Sequence, residues 1–388
     1  MSKSKKAPNS EEVQATIKQL IQQTLREALE AELEEFLGYS RYERSGNDNS
    51  RNGYSSKTVK SSSGPLEIQV PRDRKGRFEP KLIRKRQTML DEIENQILAL
   101  YSKGMTTSEV QEVLADIYGV EVSTSLISKI TDRILPRLEE WQSRPLKERY
   151  FLLWIDCIFY KIREDGQVKT KAVYVVIGLD FEGFKEVLGF WTNNTESSRF
   201  WLGVLNDLKS RGVKDVFVFS IDGLSGLEKA ISSVFPKADI QKCIVHQIRN
   251  SLKYVTWKDR KELARDLKKI YGAVNLEEAA SQMDVFEDKW GGKYPHVIKS
   301  WRVNWELLTT FFRYPLEIRR VMYTTNIIES VHSKFRKATA KRRIFPTEES
   351  LLKCLYMVAL ELEKKWVRPI ANWPLVYAQL SLMFEDRL

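Results

Sequence analysis

Apolar residues recur at helical spacing through 10–37, where Val13, Ile17, Leu20, Ile21, Leu25, Ala28, Leu29, Leu33 and Phe36 make one stripe. Ser10 is the expected cap, with Glu11 and Glu12 in the first turn and Gly38 as the stop. Such a stripe must pack on its own domain or on a second copy. The pattern then breaks. Residues 39–87 are polar, basic and dotted with tyrosine, and read as short extended pieces around turns at Pro71, Gly76 and Pro80, or as a linker. Residues 89–140 return to helical spacing in three pieces, with stops at Gly104 and Gly119 and a third helix capped by Ser123. Leu126, Ile127, Ile130 and Ile134 should face inward on that third helix, and Ser125, Ser128, Lys129 and Arg133 outward. The short helix, glycine turn and polar-faced helix resemble a helix-turn-helix.

From residue 150 the period changes. YFLLWIDCIFYKI, KAVYVVIGLD and FKEVLGFWT read as a three-stranded meander, and a helix capped by Thr195 and stopped by Gly212 follows. VFVFSID is a short, wholly apolar strand suited to the centre of a covered sheet. A helix, the short strand ADIQKC and another helix complete the run. Three strands in a meander, then alternating helices and strands, is the order of a ribonuclease-H-like α/β fold. Residues 256–316 show charged helices and the aromatic WRVNWELLTTFFRYP but no strand pattern, and are expected to be an all-α insertion. The expected organisation is an N-terminal helix (1–40), a basic extended segment (41–88) and a helix-turn-helix-like region (89–145). A catalytic domain (148–255 with 317–366), the insertion (256–316) and a C-terminal tail (367–388) follow.

Charge sharpens this picture. The 388-residue chain has a net charge of +11, and residues 41–86 hold thirteen Lys or Arg against five acids. A field this concentrated points to a polyanion, nucleic acid first. No apolar run approaches the ~20 residues of a membrane span. MSKSKKAPNSEEV lacks the apolar stretch of a signal peptide. Three widely spaced cysteines, Cys157, Cys243 and Cys354, fit a reducing cytoplasm. No glycine-rich phosphate loop supports nucleotide hydrolysis.

Three carboxylates stand out. Asp156 lies inside an apolar strand, Asp222 ends another, and Glu329 sits in the helical TTNIIESVHSKFRK. Each alone reads as a turn, cap or solvated residue. Together, two acids on neighbouring strands would repel unless a cation joined them, and oxygen ligands of this kind suit magnesium or manganese. A pair of such ions can activate an oxygen nucleophile and stabilise the leaving oxygen in phosphodiester chemistry. Beyond Glu329 come Lys334, Arg336, Lys337, Lys341, Arg342 and Arg343 with no acid between them, a stripe that would let phosphate approach. Arg72, Arg74, Lys75 and Arg77 are the matching candidates upstream. Cys243 and His246 have half a zinc site's spacing, but neither His296 nor His332 has a cysteine at ligand spacing to complete it. Support for the acids is the alternative reading of that pair.

The stretch from Asp222 through Gly226-Leu227, Val234-Phe235-Pro236, Ala238, Gln241, Cys243 and His246 resembles the signature of bacterial Mutator-type insertion-sequence transposases. WIDCIFYKIR, TTNIIES, PRDRKGRFEP and WRVNWE resemble further blocks of that family, with Cys157 standing where alanine is common. The resemblance implies a DDE transposase whose Asp156, Asp222 and Glu329 bind two magnesium ions, with the helical insertion between the second Asp and the Glu. It implies binding of double-stranded terminal inverted repeats and target DNA, hydrolysis that frees a 3′-hydroxyl, and strand transfer by that hydroxyl. Two ends joined together require at least a homodimer, for which helix 10–37 and the aromatic 301–315 are candidate contacts. The expected location is a bacterial cytoplasm, at the nucleoid. The competing readings are a non-catalytic, transposase-derived DNA-binding regulator and a ribonuclease-H-fold nuclease without strand transfer.

Overall fold

The computed structural model describes residues 9–43, 46, 48–193, 197–323 and 326–387. They form two compact units, one through Ile134 and one from Leu135 onward.

In the first unit, helix α1 (Ser10–Leu37) opens with a capping box in which the Asn9 side chain and the Glu12 backbone, and the Glu12 side chain and the Asn9 backbone, bond reciprocally. Asn9 displaces Ser10 as the cap because only Asn9 has an acid three positions on. Residues 41–88 are not a linker of short pieces. They hold a long antiparallel hairpin, β1 (Arg51–Ser61) and β2 (Gly64–Asp73), with Ser61 opposite Gly64. The hairpin is stable because α1 covers one face: Leu29 packs with Val59, Leu66, Ile68 and Ile83, and Leu33 and Leu37 with Phe78. Glu32 also accepts hydrogen bonds from the Lys81 and Leu82 N–H groups, at 2.8 and 3.0 Å. The expected segments 1–40 and 41–88 thus share one core. Three helices follow, α2 (Asp91–Ser102), α3 (Thr107–Tyr118) and α4 (Thr124–Asp132). Ser123 caps α4, and Ile127, Ile130 and Ile134 are buried as their spacing requires.

In the second unit, α5 (Leu135–Ser143) packs Trp141 against Phe190 and Tyr356, with ring centroids 5.3 and 5.4 Å apart. That contact draws the division to Ile134 rather than residue 145. A five-stranded sheet follows, built from β3 (Arg149–Glu164), β4 (Gln167–Leu179), β5 (Lys185–Asn193), β6 (Asp215–Ile221) and β7 (Asp239–Lys242), in the order β5-β4-β3-β6-β7. The meander is antiparallel, while β6 and β7 run parallel to β3. The chain leaves β3 toward one edge and returns to its other side. Helices α6 (Ser198–Ser210) and α7 (Leu227–Val234) bury Trp201, Leu205, Leu208 and Ile231 against one sheet face. Ser197 caps α6; Thr195, the expected cap, lies outside the described residues.

After β7 come α8 (Ile244–Lys253), α9 (Trp257–Tyr271), α10 (Leu276–Trp290), α11 (Pro295–Val303), α12 (Trp305–Thr309), a 3-10 turn (Thr310–Arg313) and α13 (Leu316–Tyr323). The described residues of 256–316 contain no strand. The aromatic segment is consumed internally, so it is not a free oligomer contact: Trp301, Leu308, Phe311 and Tyr314 are buried, and Tyr314 donates to Asp239 at 2.6 Å. Helices α14 (Asn326–Thr339), α15 (Glu348–Glu363) and α16 (Trp373–Met383) complete the unit. The described part of residues 367–388, expected as a tail, instead joins the core: Trp373 packs on Phe151 and Phe384 on Phe217, with centroids 6.1 and 4.8 Å apart. No helix among the described residues is long and apolar enough to cross a membrane.

Candidate active site

Strand register places the first two acids. Ile155 pairs with Ile221 across the parallel β3–β6 ladder, and both belong to the core under α6 and α7. The next residues, Asp156 and Asp222, therefore point together to the opposite face. The same row continues through Ile221 opposite Lys242, and Cys243 follows. Cys243 is the N-cap of α8, its sulfur accepting from the His246 N–H at 3.4 Å. This cap sets His246 in the first turn beside the carboxylates. His246 Nε2 lies 3.8 Å from Asp156 Oδ2, and Nδ1 lies 3.8 Å from Asp222 Oδ2. One ligand atom from each of Asp156, Asp222 and His246 falls within 4.8 Å of the others.

Helix α14 closes the site. Glu329, His332 and Arg336 are spaced to share a face. His332 Nδ1 is 3.4 Å from Asp156 Oδ2, and its Nε2 is buried with no hydrogen-bond partner. Glu329 stands outside the Asp-Asp-His group. Its Oε1 is 2.5 Å from Arg249 Nη2 on α8, yet makes no aligned hydrogen bond, so the pair is ionic contact more than directed bonding. The structure thus brings Asp156, Asp222 and His246 together and leaves the third acid on the adjoining helix, held by an arginine. Cys243 is not in the group.

Burial pushes the Asp156 carboxyl up to about 6; the nearby Asp222 charge adds to this, while His246, the Cys157 N–H and Arg336 oppose it. Burial, with Arg336 and His246 close by, pulls His332 down to about 4, so its ring is neutral at pH 7. The Cys243 thiol is pushed up to about 12, chiefly by burial. Protonated in this way, it serves as the cap of α8. Two clustered carboxylates and an imidazole, one of them raised by burial and a like charge, form a donor set that a divalent cation would relieve.

The basic candidates fall on three surfaces. Arg72, Arg74, Lys75 and Arg77 are exposed at the end of β2 and in the turn beyond it. Buried Asp73 holds that turn: Oδ2 accepts from the Asn49 amide at 2.8 Å and from the Arg77 N–H at 3.0 Å, and Oδ1 accepts from the Phe78 N–H at 3.0 Å. Lys75 pairs with Asp48. On and after α4, Ser125, Ser128, Lys129 and Arg133 are exposed, with Arg133 paired to Glu94. On and after α14, Lys334, Arg336, Lys337, Lys341 and Arg343 are exposed and Arg342 is half-buried. Two residues of the site, Arg249 and His332 as a neighbour of Asp156, are absent from the candidates above. The available signal was spacing, since each stands three residues beyond a candidate, His246 and Glu329.

Comparison with known proteins agrees with the motifs. Residues 1–369 match the family described as "Transposase, Mutator family". A probable transposase for an ISRM3-like insertion sequence element of Sinorhizobium fredii (strain NBRC 101917 / NGR234) is 43% identical over 360 residues, covering 92% of this chain and 90% of its own. The transposase for insertion sequence element ISRM3 of Rhizobium meliloti (strain 1021) is 42% identical over the same shares. Among solved structures, the Drosophila P element transposase strand transfer complex aligns with a TM-score of 0.30 and 12% identity over 76% of this chain and 80% of that one, too distant to bear on the fold. By its sequence, this chain belongs to the Mutator family of transposases.

Proposed function

We propose that this protein is the transposase of an insertion sequence, which binds double-stranded terminal inverted repeats, cuts them and joins the freed strand to target DNA. The observation that carries the reading is the β3–β6 register, which sets Asp156 and Asp222 side by side on one sheet face beside His246. The strand order, an antiparallel meander with two strands added in parallel on its far side, supports a ribonuclease-H-like architecture. The helices α9–α13 between Asp222 and Glu329 support the all-α insertion.

Asp156 and Asp222 would hold magnesium or manganese, with Glu329 as the third acid and two ions in all. Bound there, the ions would polarise phosphate oxygens and stabilise the attacking and leaving oxygens. The chain's own residues do the rest. His246, fixed by the Cys243 cap, lies against both aspartates and keeps them oriented. Arg336, on the Glu329 face of α14 and near enough to oppose the rise of the Asp156 carboxyl, offsets the charge of the entering phosphodiester. In the first step water forms a new P–O bond, and the P–O3′ bond breaks to release a 3′-hydroxyl. In the second, that 3′-oxygen forms a P–O bond in target DNA as an existing P–O3′ bond breaks, so the number of phosphodiesters is conserved. Two ends must be held together, so the DNA-bound form is a dimer or larger. The exposed Val13, Ile17 and Leu20 of α1 are the contact that remains available.

Asp156→Asn, Asp222→Asn and Glu329→Gln should each reduce cleavage of the element's own ends at least ~10³-fold in magnesium while end binding persists. Cleavage surviving in all three overturns the acid assignment. Cleavage without joined products in the wild type favours the nuclease.

A further inference from the structure

A second charged feature lies in the first unit, on the hairpin and the loop that follows it. The hairpin and the loop after it enclose a cavity of about 540 Å³. Lys57, Arg72, Arg84, Lys85 and Arg86 line it. Its lining includes one acid, Asp73, whose two oxygens are committed to Asn49, Arg77 and Phe78. Lys85 has a partial partner in Glu79 at 3.3 Å, and Lys57 donates to the Arg84 carbonyl at 2.8 Å. The guanidinium groups of Arg72, Arg84 and Arg86 have no partner among the described residues.

The backbone adds an independent sign. Arg86 sits at φ 68, a left-handed conformation that penalises any residue with a Cβ. A glycine would be easier there, and strain of this kind is held where a side chain has work to do. The turn around it, closed by the Gln87 N–H to the Arg84 carbonyl at 3.1 Å, keeps Arg84, Lys85 and Arg86 on the cavity. The buried Phe78 and Ile83 behind them give the groove a firm apolar wall.

We propose that this groove seats the phosphate backbone of one strand of duplex DNA, with Lys57, Arg72, Arg84 and Arg86 as its contacts; the proposal rests on the reading that the protein binds DNA. Several cations along one groove match a polyanion with closely spaced charges better than a lone anion. None of the groups reads a base edge from a helix, so the groove adds affinity and orientation while base discrimination lies elsewhere.

The test uses the full chain and fluorescence anisotropy on two duplexes, the element's terminal DNA and an unrelated sequence of equal length, over a range of salt. The double variant Arg84→Gln/Arg86→Gly should weaken binding to both duplexes by the same factor. The slope of log K against log salt should fall by about 2, near 0.9 per lost phosphate contact. Its thermal midpoint should match the wild type, because glycine accepts the left-handed backbone; a merely structural role would lower it. If that variant unfolds early, Arg72→Gln reads the same effect from the strand, with a slope change of about 1. Variants with wild-type affinity and slope overturn the groove alone. A wild type that binds neither duplex overturns the DNA reading as well. Displacement of duplex by inorganic phosphate at matched ionic strength would make this a free-anion site and also overturn the proposal.

Discussion

Asp73 and Asp156 are equally hidden, 4% and 6% exposed, yet their carboxyls move in opposite directions. Asp73 falls to about 2, because hydrogen bonds from the Asn49 amide and the Phe78 and Arg77 N–H groups outweigh a burial cost that alone would raise it. Asp156 rises to about 6, because burial and Asp222 outweigh what His246 and the Cys157 N–H supply. Asp156 lies deeper beneath the surface and faces a like charge, and it has one backbone donor where Asp73 has three donors; packing depth, charge and donors together set the opposite signs. Asp73 is satisfied by its own chain and fastens a loop. Asp156 is underserved by its own chain and remains open to a cation.

Removing each carboxylate should separate the two roles. Asp73→Ala orphans two backbone N–H groups and an amide and should cost the first unit about 3 kcal/mol in urea denaturation. A near-wild-type midpoint would contradict the fastening role. Asp156→Asn keeps an acceptor for the Cys157 N–H and removes a disfavoured charge. It should raise stability at pH 7 by roughly 2 kcal/mol, and destabilisation would break the contrast.

Acid titration sharpens it further. A depressed carboxyl lends stability above its unfolded pKa, and that stability is lost as pH falls through the folded value. The Asp73 contribution should therefore disappear between about pH 4 and 2. A raised carboxyl binds its proton more tightly in the folded state, so the Asp156 term costs stability as pH rises from about 4 to 6. Wild type minus variant, measured by denaturation across pH 2–7, should give slopes of opposite sign; equal signs would dismiss the account. The smallest effect belongs to Arg249→Ala. Its ion pair with Glu329 involves side chains 55% and 27% exposed, so its loss should cost only about 0.5 kcal/mol. A loss of several kcal/mol would mean Glu329 is pinned as firmly as Asp73.

Much of this was legible in the sequence where one element decides its own fate. The switch to alternation at residue 150, the strand through Asp156, the apolar strand ending at Asp222 and the buried isoleucines of α4 follow from local periodicity. The hairpin did not, because RNGYSSKTVK carries little apolar signal and owes its order to α1 lying across it. α16 and the Phe384 that follows it are hidden for a like reason, since their partners Phe151 and Phe217 are far away in sequence. The pairing of Glu329 with Arg249 and the seat of His332 depend on how α14 meets α8 and β3, which no window of residues encodes. The Asn9 cap is readable from Glu12, three residues on, one position before Ser10.

Strand β7 has only four residues, and its hold on the sheet is reinforced from outside. The Gln241 amide donates to the Leu308 carbonyl at 3.0 Å and accepts from the Phe311 N–H at 2.8 Å, while the Thr310 hydroxyl donates to the Ile240 carbonyl at 2.8 Å. Two residues past Gln241 stands Cys243, and His246 follows within one turn. The aromatic segment is thus a splint for the shortest strand, and the alignment of His246 is inherited from contacts made some sixty residues further along the chain. The helical segment and the acid-bearing sheet are, in mechanical terms, one part.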